Sequence, residues 1–156
     1  MKKPSPKKPP VRAVSSKAPY WLFKSEPDAF SWDQQKERGS KGEPWGGVRN
    51  YLARNNMRAM AKGDLGFFYH SNESREIVGI VEVCKPAHKD STSEVDTWEC
   101  VDIRAVERLP KPVTLDAIKA DARLKDMVLV KNSRLSVQPV TPEEWTHICK
   151  LGGLKA

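Results

Sequence analysis

From Tyr20 the chain reads Tyr-Trp-Leu-Phe-Lys, a short aromatic run that predicts a buried strand, ended by Pro27. Ser31 with Gln34 three residues on is a capping box for a short helix, and Gly39 sits where that helix should stop. Residues 39–47 hold four glycines and Pro44 and predict a loop closing on Trp45. Between Val48 and Met60 the positions Val48, Tyr51, Leu52, Met57 and Met60 fit one helical face, with Gly63 as a stop. Leu65 to His70, Ile77 to Lys85 and Trp98 to Val106 predict three strands. The middle one is apolar on both faces, as expected of a strand within a closed barrel. Thr114 can cap a short helix at Leu115 to Ala120. Thr141, Pro142 and Glu144 mark the start of a last helix ending near Gly152. No repeat is present. Strands forming one sheet or barrel, decorated by short helices, give an α+β class.

Composition bounds this picture. A chain of 156 residues can bury one self-supporting core and is too short for two ordinary domains. Hydrophobic residues make up 38% and charged residues 30%, a globular balance. No apolar run is long enough to span a bilayer, so no membrane association is expected. Cys84, Cys100 and Cys149 are scattered and lack a Cys-x-x-Cys pair, which argues against a disulfide framework and for an intracellular protein.

The net charge of +7 is unevenly placed. Residues 1–18 contain Lys2, Lys3, Lys7, Lys8, Arg12 and Lys17 and no acid, and so carry +6. Four prolines in the same stretch predict a disordered basic tail, either a solubilising extension or a non-specific phosphate-binding arm. The folded domain is expected over residues 19–156. Its net charge is only +1, so a basic face there must arise from arrangement rather than excess.

Most catalytic motifs are absent. There is no phosphate-binding Gly-rich loop with Lys and Ser or Thr, no dinucleotide fingerprint and no Gly-x-Ser-x-Gly elbow. His70, His88 and His147 show no metal-ligand spacing, so no metal and no cofactor are expected. Two constellations stand out. In Trp21-Leu22-Phe23-Lys24-Ser25-Glu26-Pro27 a buried strand ends in a cation, a hydroxyl and a carboxylate. In Trp45 to Arg58, Arg49, Arg54 and Arg58 are interleaved with Asn50, Asn55 and Asn56. Three asparagines in seven residues need a reason beyond helix propensity. Arg forks phosphate, Asn pairs with base edges and Trp or Tyr stacks on bases, so the combination suits nucleic acid. A solvated cationic helix face is the plainer alternative. His70 ends an aromatic strand, where it can face a site or make a structural hydrogen bond.

Trp21 to Pro27, Trp45, Gly47 to Asn55, Arg58-Ala59-Met60, Gly63-Asp64, Phe67 to Asn72 and Arg134 to Pro139 together resemble the EVE-domain family of the PUA-like superfamily. The likeness runs from Tyr20 to about Gly153. It implies a PUA-like mixed β-barrel with short α-helices, and a non-catalytic module binding nucleic acid that carries a modified base. The expected ligand is modified cytosine in DNA or a modified base in RNA, taken into a flipped-base pocket. The pocket residues so implied are Trp21 and Tyr69 as aromatics and Lys24, Ser25, Asn55, His70 and Ser71 as polar readers. Arg49, Arg54 and Arg58 are phosphate or scaffold cations, and a monomer is expected. The chain departs from the family pattern at Gly46, where an acid or Thr is usual, and at Leu52, where Gln is frequent. The related ASCH group includes amidohydrolases using a Lys, a hydroxyl residue and a Glu, types that Lys24, Ser25 and Glu26 offer. Adjacent strand residues alternate faces, however, which should point Lys24 and Ser25 apart.

Overall fold

The structure, a computed structural model, describes residues 20–71, 75–95 and 97–154. The expectation of a disordered tail at residues 1–18 lies outside the described residues. Six strands form one mixed sheet. They are β1 (Tyr20–Ser25), β2 (Glu43–Pro44), β3 (Leu65–His70), β4 (Glu76–Lys89), β5 (Glu99–Thr114) and β6 (Val137–Val140), ordered β2-β5-β4-β3-β1-β6. β1 and β3 are parallel, with Tyr20 opposite Leu65 and Ser25 opposite His70. The other pairings are antiparallel. A parallel pair needs a crossover, and residues between the two strands supply it with α1 (Trp32–Glu37) and α2 (Tyr51–Arg58). α3 (Leu115–Ala120), α4 (Val128–Lys131) and α5 (Pro142–Leu151) follow β5 or flank β6.

Strand alternation feeds two hydrophobic clusters, one on each face of the sheet. Tyr20, Leu22, Phe67, Tyr69 and Ile80 meet Ile118, Leu129 and Trp145 from the three later helices. Trp145 stacks on Tyr20 at 4.4 Å and on Phe67 at 4.0 Å between ring centroids. On the other face Trp21, Phe23, Phe68, Val81 and Ile103 meet Trp32, Trp45, Ala53 and Met57. Burial on both faces explains the unbroken apolar run in β4. Gly79 is part of this packing, because a Cβ there would lie 2.4 Å from the Trp32 ring.

The sheet is strongly curled. In α2, Asn56 Nδ2 donates to Val137 O of β6 at 2.8 Å, and Arg58 pairs with Glu99 of β5. Three strands separate β5 from β6 in the sheet. Eight helical residues span only about 12 Å, so α2 reaches both only because the sheet wraps round. Repeated register shifts between β4 and β5 are bulges that bend the longest strand pair. The architecture is the expected PUA-like α+β fold.

Local signals account for most helix ends. Ser31 and Thr141 both form complete capping boxes, and Thr114 Oγ1 accepts from Ala117 N–H at 3.1 Å. α2 is shorter than the stretch from Val48 to Met60. Asn50 is extended and its side chain caps the helix by accepting from Ala53 N–H at 2.9 Å. Val48 instead packs against the second cluster. β4 and β5 run well past Lys85 and Val106, and β2 and β6 are strands that periodicity missed.

Candidate nucleic-acid interface

An open cleft of about 570 Å³ lies where the end of β1 meets the segment from Glu43 to Asn50 and the loop before β6. That volume suits a small-molecule or base-sized ligand, which typically takes roughly 300–1,000 Å³. Phe30 and Trp45 form its aromatic wall. Trp45 is anchored by its N–H to Val101 O at 2.8 Å and by edge-on contacts with Phe23, Phe30 and Phe68. Phe30 stays half-buried and is positioned by Ser25, whose Oγ donates to Phe30 O. Lys24 N–H donates to Ser136 O at 2.9 Å, which fixes the opposite rim to β1. Arg134 and Ser136 line that rim. Arg134 is exposed and makes no ion pair among the described residues.

The second rim is built around Asp90, a buried carboxylate. Its Oδ2 accepts from Gly47 N–H at 2.8 Å and Arg49 Nη1 at 3.1 Å. Its Oδ1 accepts from Thr92 N–H at 2.8 Å and Thr92 Oγ1 at 2.7 Å. Burial alone would raise its pKa, but the hydrogen bonds from Thr92, Gly47 and Arg49 outweigh it and hold the carboxyl at about 2. Arg49 also donates to Thr92 Oγ1 at 3.0 Å, and its guanidinium lies 5.4 Å from the Trp98 ring centroid. Sequence reasoning passed over Asp90 because its role needs Gly46 and Gly47, some forty residues away.

Of the residues expected at the pocket, Lys24, Ser25 and Arg49 line the cleft. The Lys24 ammonium donates to Ser133 O and lies 6.0 Å from the Tyr69 ring centroid, on the opposite face from Ser25 Oγ. Burial lowers its pKa. The other expected readers lie outside the cleft lining. Trp21 is buried in the second cluster and donates Nε1–H to Asp64 Oδ2 at 3.1 Å. Tyr69 is buried in the first cluster, beyond the sheet. His70 Nε2 accepts from Trp32 N–H at 3.1 Å and so secures the start of α1. Ser71 N–H continues the β1–β3 pairing by donating to Ser25 O at 2.9 Å. Asn55 is exposed and accepts from Arg54 Nε and Nη2. Alternation explains the scatter: neighbouring strand residues point to opposite faces, and dense polar-aromatic strings therefore split.

Cleft residues outside the expected set include Phe30, Trp45, Asn50, Arg134 and Ser136, together with the carboxylates Glu26 and Glu43. Trp45 and Arg134 to Pro139 were visible as family motifs, but apolar periodicity cannot tell a cleft wall from core. His88, Cys100 and Asp102 also come together, their ligand atoms lying within 4.8 Å of one another. The β4–β5 register sets His88 opposite Cys100, a juxtaposition hidden by sequence spacing. Burial, then Asp90 and Asp102, push the Cys100 thiol up to about 11, which opposes the thiolate a metal would need. His88 Nε2 and Asp102 Oδ1 already bond each other at 2.8 Å.

The EVE domain family model matches residues 19–151. The chain belongs to the EVE domain family. Thymocyte nuclear protein 1 of Gallus gallus is 37% identical over 85% of this chain and 68% of its own length. A crystal structure of a protein from Agrobacterium tumefaciens is 61% identical, with a TM-score of 0.87 over 88% of this chain and 94% of that one. The human THYN1 protein, solved in complex with DNA containing 5-methylcytosine, is 32% identical with a TM-score of 0.82, covering 89% of this chain and all of that chain. Among the described residues, no helix of the domain is long and apolar enough to cross a membrane.

Proposed function

We propose that this EVE domain binds DNA and reads a modified cytosine, flipped into the cleft between the Phe30–Trp45 wall and the Arg134–Ser136 rim. The observation that carries the reading is the cleft itself: an aromatic wall of Phe30 and Trp45, with Arg49 and Arg134 on opposite rims and the carboxylates Glu26 and Glu43 also in its lining. A relative of the same fold held 5-methylcytosine DNA, which supports the ligand class. Extruding a base costs a few kcal/mol, least for a weakened pair. Aromatic contact returns about 1–3 kcal/mol per base. Ser136 and Asn50 offer polar groups to the base edge and Ser25 positions Phe30, while Arg49 and Arg134 suit the flanking phosphates.

Binding without chemistry is favoured over the amidohydrolase alternative by the side-chain directions. Lys24 Nζ and Ser25 Oγ are held on opposite faces of β1, bonded to Ser133 O and Phe30 O. The test is a titration of paired oligonucleotides differing only in one 5-methylcytosine, with 2-aminopurine beside it to report extrusion. Tighter binding of the methylated strand with a rise in 2-aminopurine fluorescence supports the reading. Equal affinity for both strands removes it, and conversion of the modified nucleoside by the protein replaces it with the enzymatic one.

A further inference from the structure

Beside the cleft lies a second feature that base reading does not use. Tyr51, first residue of α2, is 62% exposed, far more than a packing aromatic. Its ring lies 5.0 Å from that of Trp98, tilted by 31°. The Arg54 guanidinium lies 4.9 Å from the Tyr51 centroid and 6.0 Å from that of Trp98. The three helix-region arginines differ in charge balance. Arg49 is paired with Asp90 and Arg58 with Glu99. Arg54 is held only by neutral acceptors among the described residues, Asn55 Oδ1 and Thr97 O. Its cation is therefore oriented but not neutralised. A guanidinium has five N–H donors, so those bonds leave two free.

We propose that Tyr51, Trp98 and Arg54 form a second nucleotide subsite, taking the nucleotide next to the one read in the cleft. Its base stacks on the exposed Tyr51 ring and its phosphate lies on the free edge of Arg54. The inference rests on the cleft receiving a base. Continuity supports it: Asn50 and Arg49 line the cleft, Tyr51 follows Asn50, and the Arg49 guanidinium covers the Trp98 ring. An uncompensated cation set over the exposed Tyr51 ring and the half-buried Trp98 ring matches the chemistry of single-stranded nucleic acid, which offers a π-face and a phosphate at each step. An apolar protein partner would leave that cation buried without a counter-charge.

The test uses the full chain with two probes, the free nucleoside 5-methyl-2′-deoxycytidine and a single-stranded 12-mer carrying one central 5-methylcytosine. Tyr51→Ala should weaken 12-mer binding by about 5- to 100-fold. Tyr51→Phe should restore it. Arg54→Gln should reduce the salt slope for the 12-mer by about 0.7. Nucleoside affinity should stay within about twofold in Tyr51→Ala, since the ring is outside the cleft. Wild-type 12-mer affinity in both variants would overturn the subsite and leave the surface to another partner. Parallel losses for nucleoside and 12-mer would also overturn it, by making Tyr51 part of the cleft. Loss of 12-mer binding in Tyr51→Ala, with no nucleoside binding by the wild-type chain, would retain the stacking surface and remove the cleft reading instead.

Discussion

Asp90 occupies the space in which a side chain at residue 46 would begin. A Cβ built on Gly46 would lie 2.8 Å from Asp90 Oδ1, so the departure from the usual acid or Thr at this position follows from the packed carboxylate. An acid here would also set two negative charges together. Gly46→Ala should therefore displace Asp90 or the rim it organises, costing about 1–3 kcal/mol as an overpacking change. Thermal unfolding and oligonucleotide affinity should both decline.

Asp90 also predicts an acid-labile rim. Its folded pKa of about 2 is depressed below the roughly 3.9 of an unfolded aspartate. Its stabilising contribution is thus complete above about pH 4 and is lost as pH falls toward 2. Asp90→Asn should flatten that part of the stability curve, and it should lower stability at neutral pH because an amide nitrogen would face N–H donors. Denaturant midpoints between pH 2 and 7 for the two proteins check this.

His70 gives a separate dependence nearer neutrality. Burial, as the main cause, lowers its pKa below 6.5; Glu76 and Asp33 act against that and Arg108 with it. The neutral ring is needed because Nε2 accepts from Trp32 N–H. A depressed folded pKa means the unfolded chain takes up the proton first, so stability present above about 6.5 is lost as pH falls through and below that value. His70→Gln, which can still accept a hydrogen bond, should reduce the slope of melting temperature between pH 7.5 and 5. An unchanged slope would show that protonation of His70 is not coupled to folding.

The same residue shows what the sequence could and could not disclose. Strand, cap and turn signals are local, so Tyr20–Ser25 and the boxes at Ser31 and Thr141 were legible. The excess of asparagine in α2 was also a sound signal of special roles. Asn50 caps the helix, Asn55 holds Arg54 and Asn56 ties α2 to β6. Which face each side chain takes depends on β register and sheet curl, which are non-local. His70 and Ser25 are register partners, yet Ser25 lines the cleft while His70 supports α1. Trp45 and Phe30 look like core in any hydrophobicity count, and only their placement at the open end of the second cluster makes them a wall.

Gly79 tests the packing behind that wall. A Cβ at this position would come within 2.4–2.7 Å of three Trp32 ring atoms. Trp32 contacts Phe68 edge-on at 5.5 Å, and Phe68 in turn contacts Trp45 at 5.8 Å. Gly79→Ala should destabilise the fold by about 1–3 kcal/mol. It should also loosen the cleft, seen as weaker binding at temperatures where the variant remains folded. Full affinity in a destabilised variant would show that the wall is independent of the Trp32 packing.

The sharpest separation of reading from scaffolding comes from Phe30 and Ser25. Trp45 is buried, and its truncation would cost about 3–5 kcal/mol in packing alone, obscuring any effect on ligand. Phe30 is half-buried, so Phe30→Ala should retain the fold while removing an aromatic contact with the extruded base. The expected loss is about 1–3 kcal/mol for the methylated oligonucleotide and less for the unmethylated one, which gains less from the cleft. Ser25→Ala should act through Phe30, because it deletes the hydroxyl that donates to Phe30 O. Its stability cost should be about 0.5–1.5 kcal/mol, and its binding defect should be largely absent in a Phe30→Ala background. A double-mutant cycle measured by anisotropy on both oligonucleotides decides it. Additive losses would show that Ser25 contacts the ligand independently, whereas non-additive losses identify it as the residue that positions Phe30.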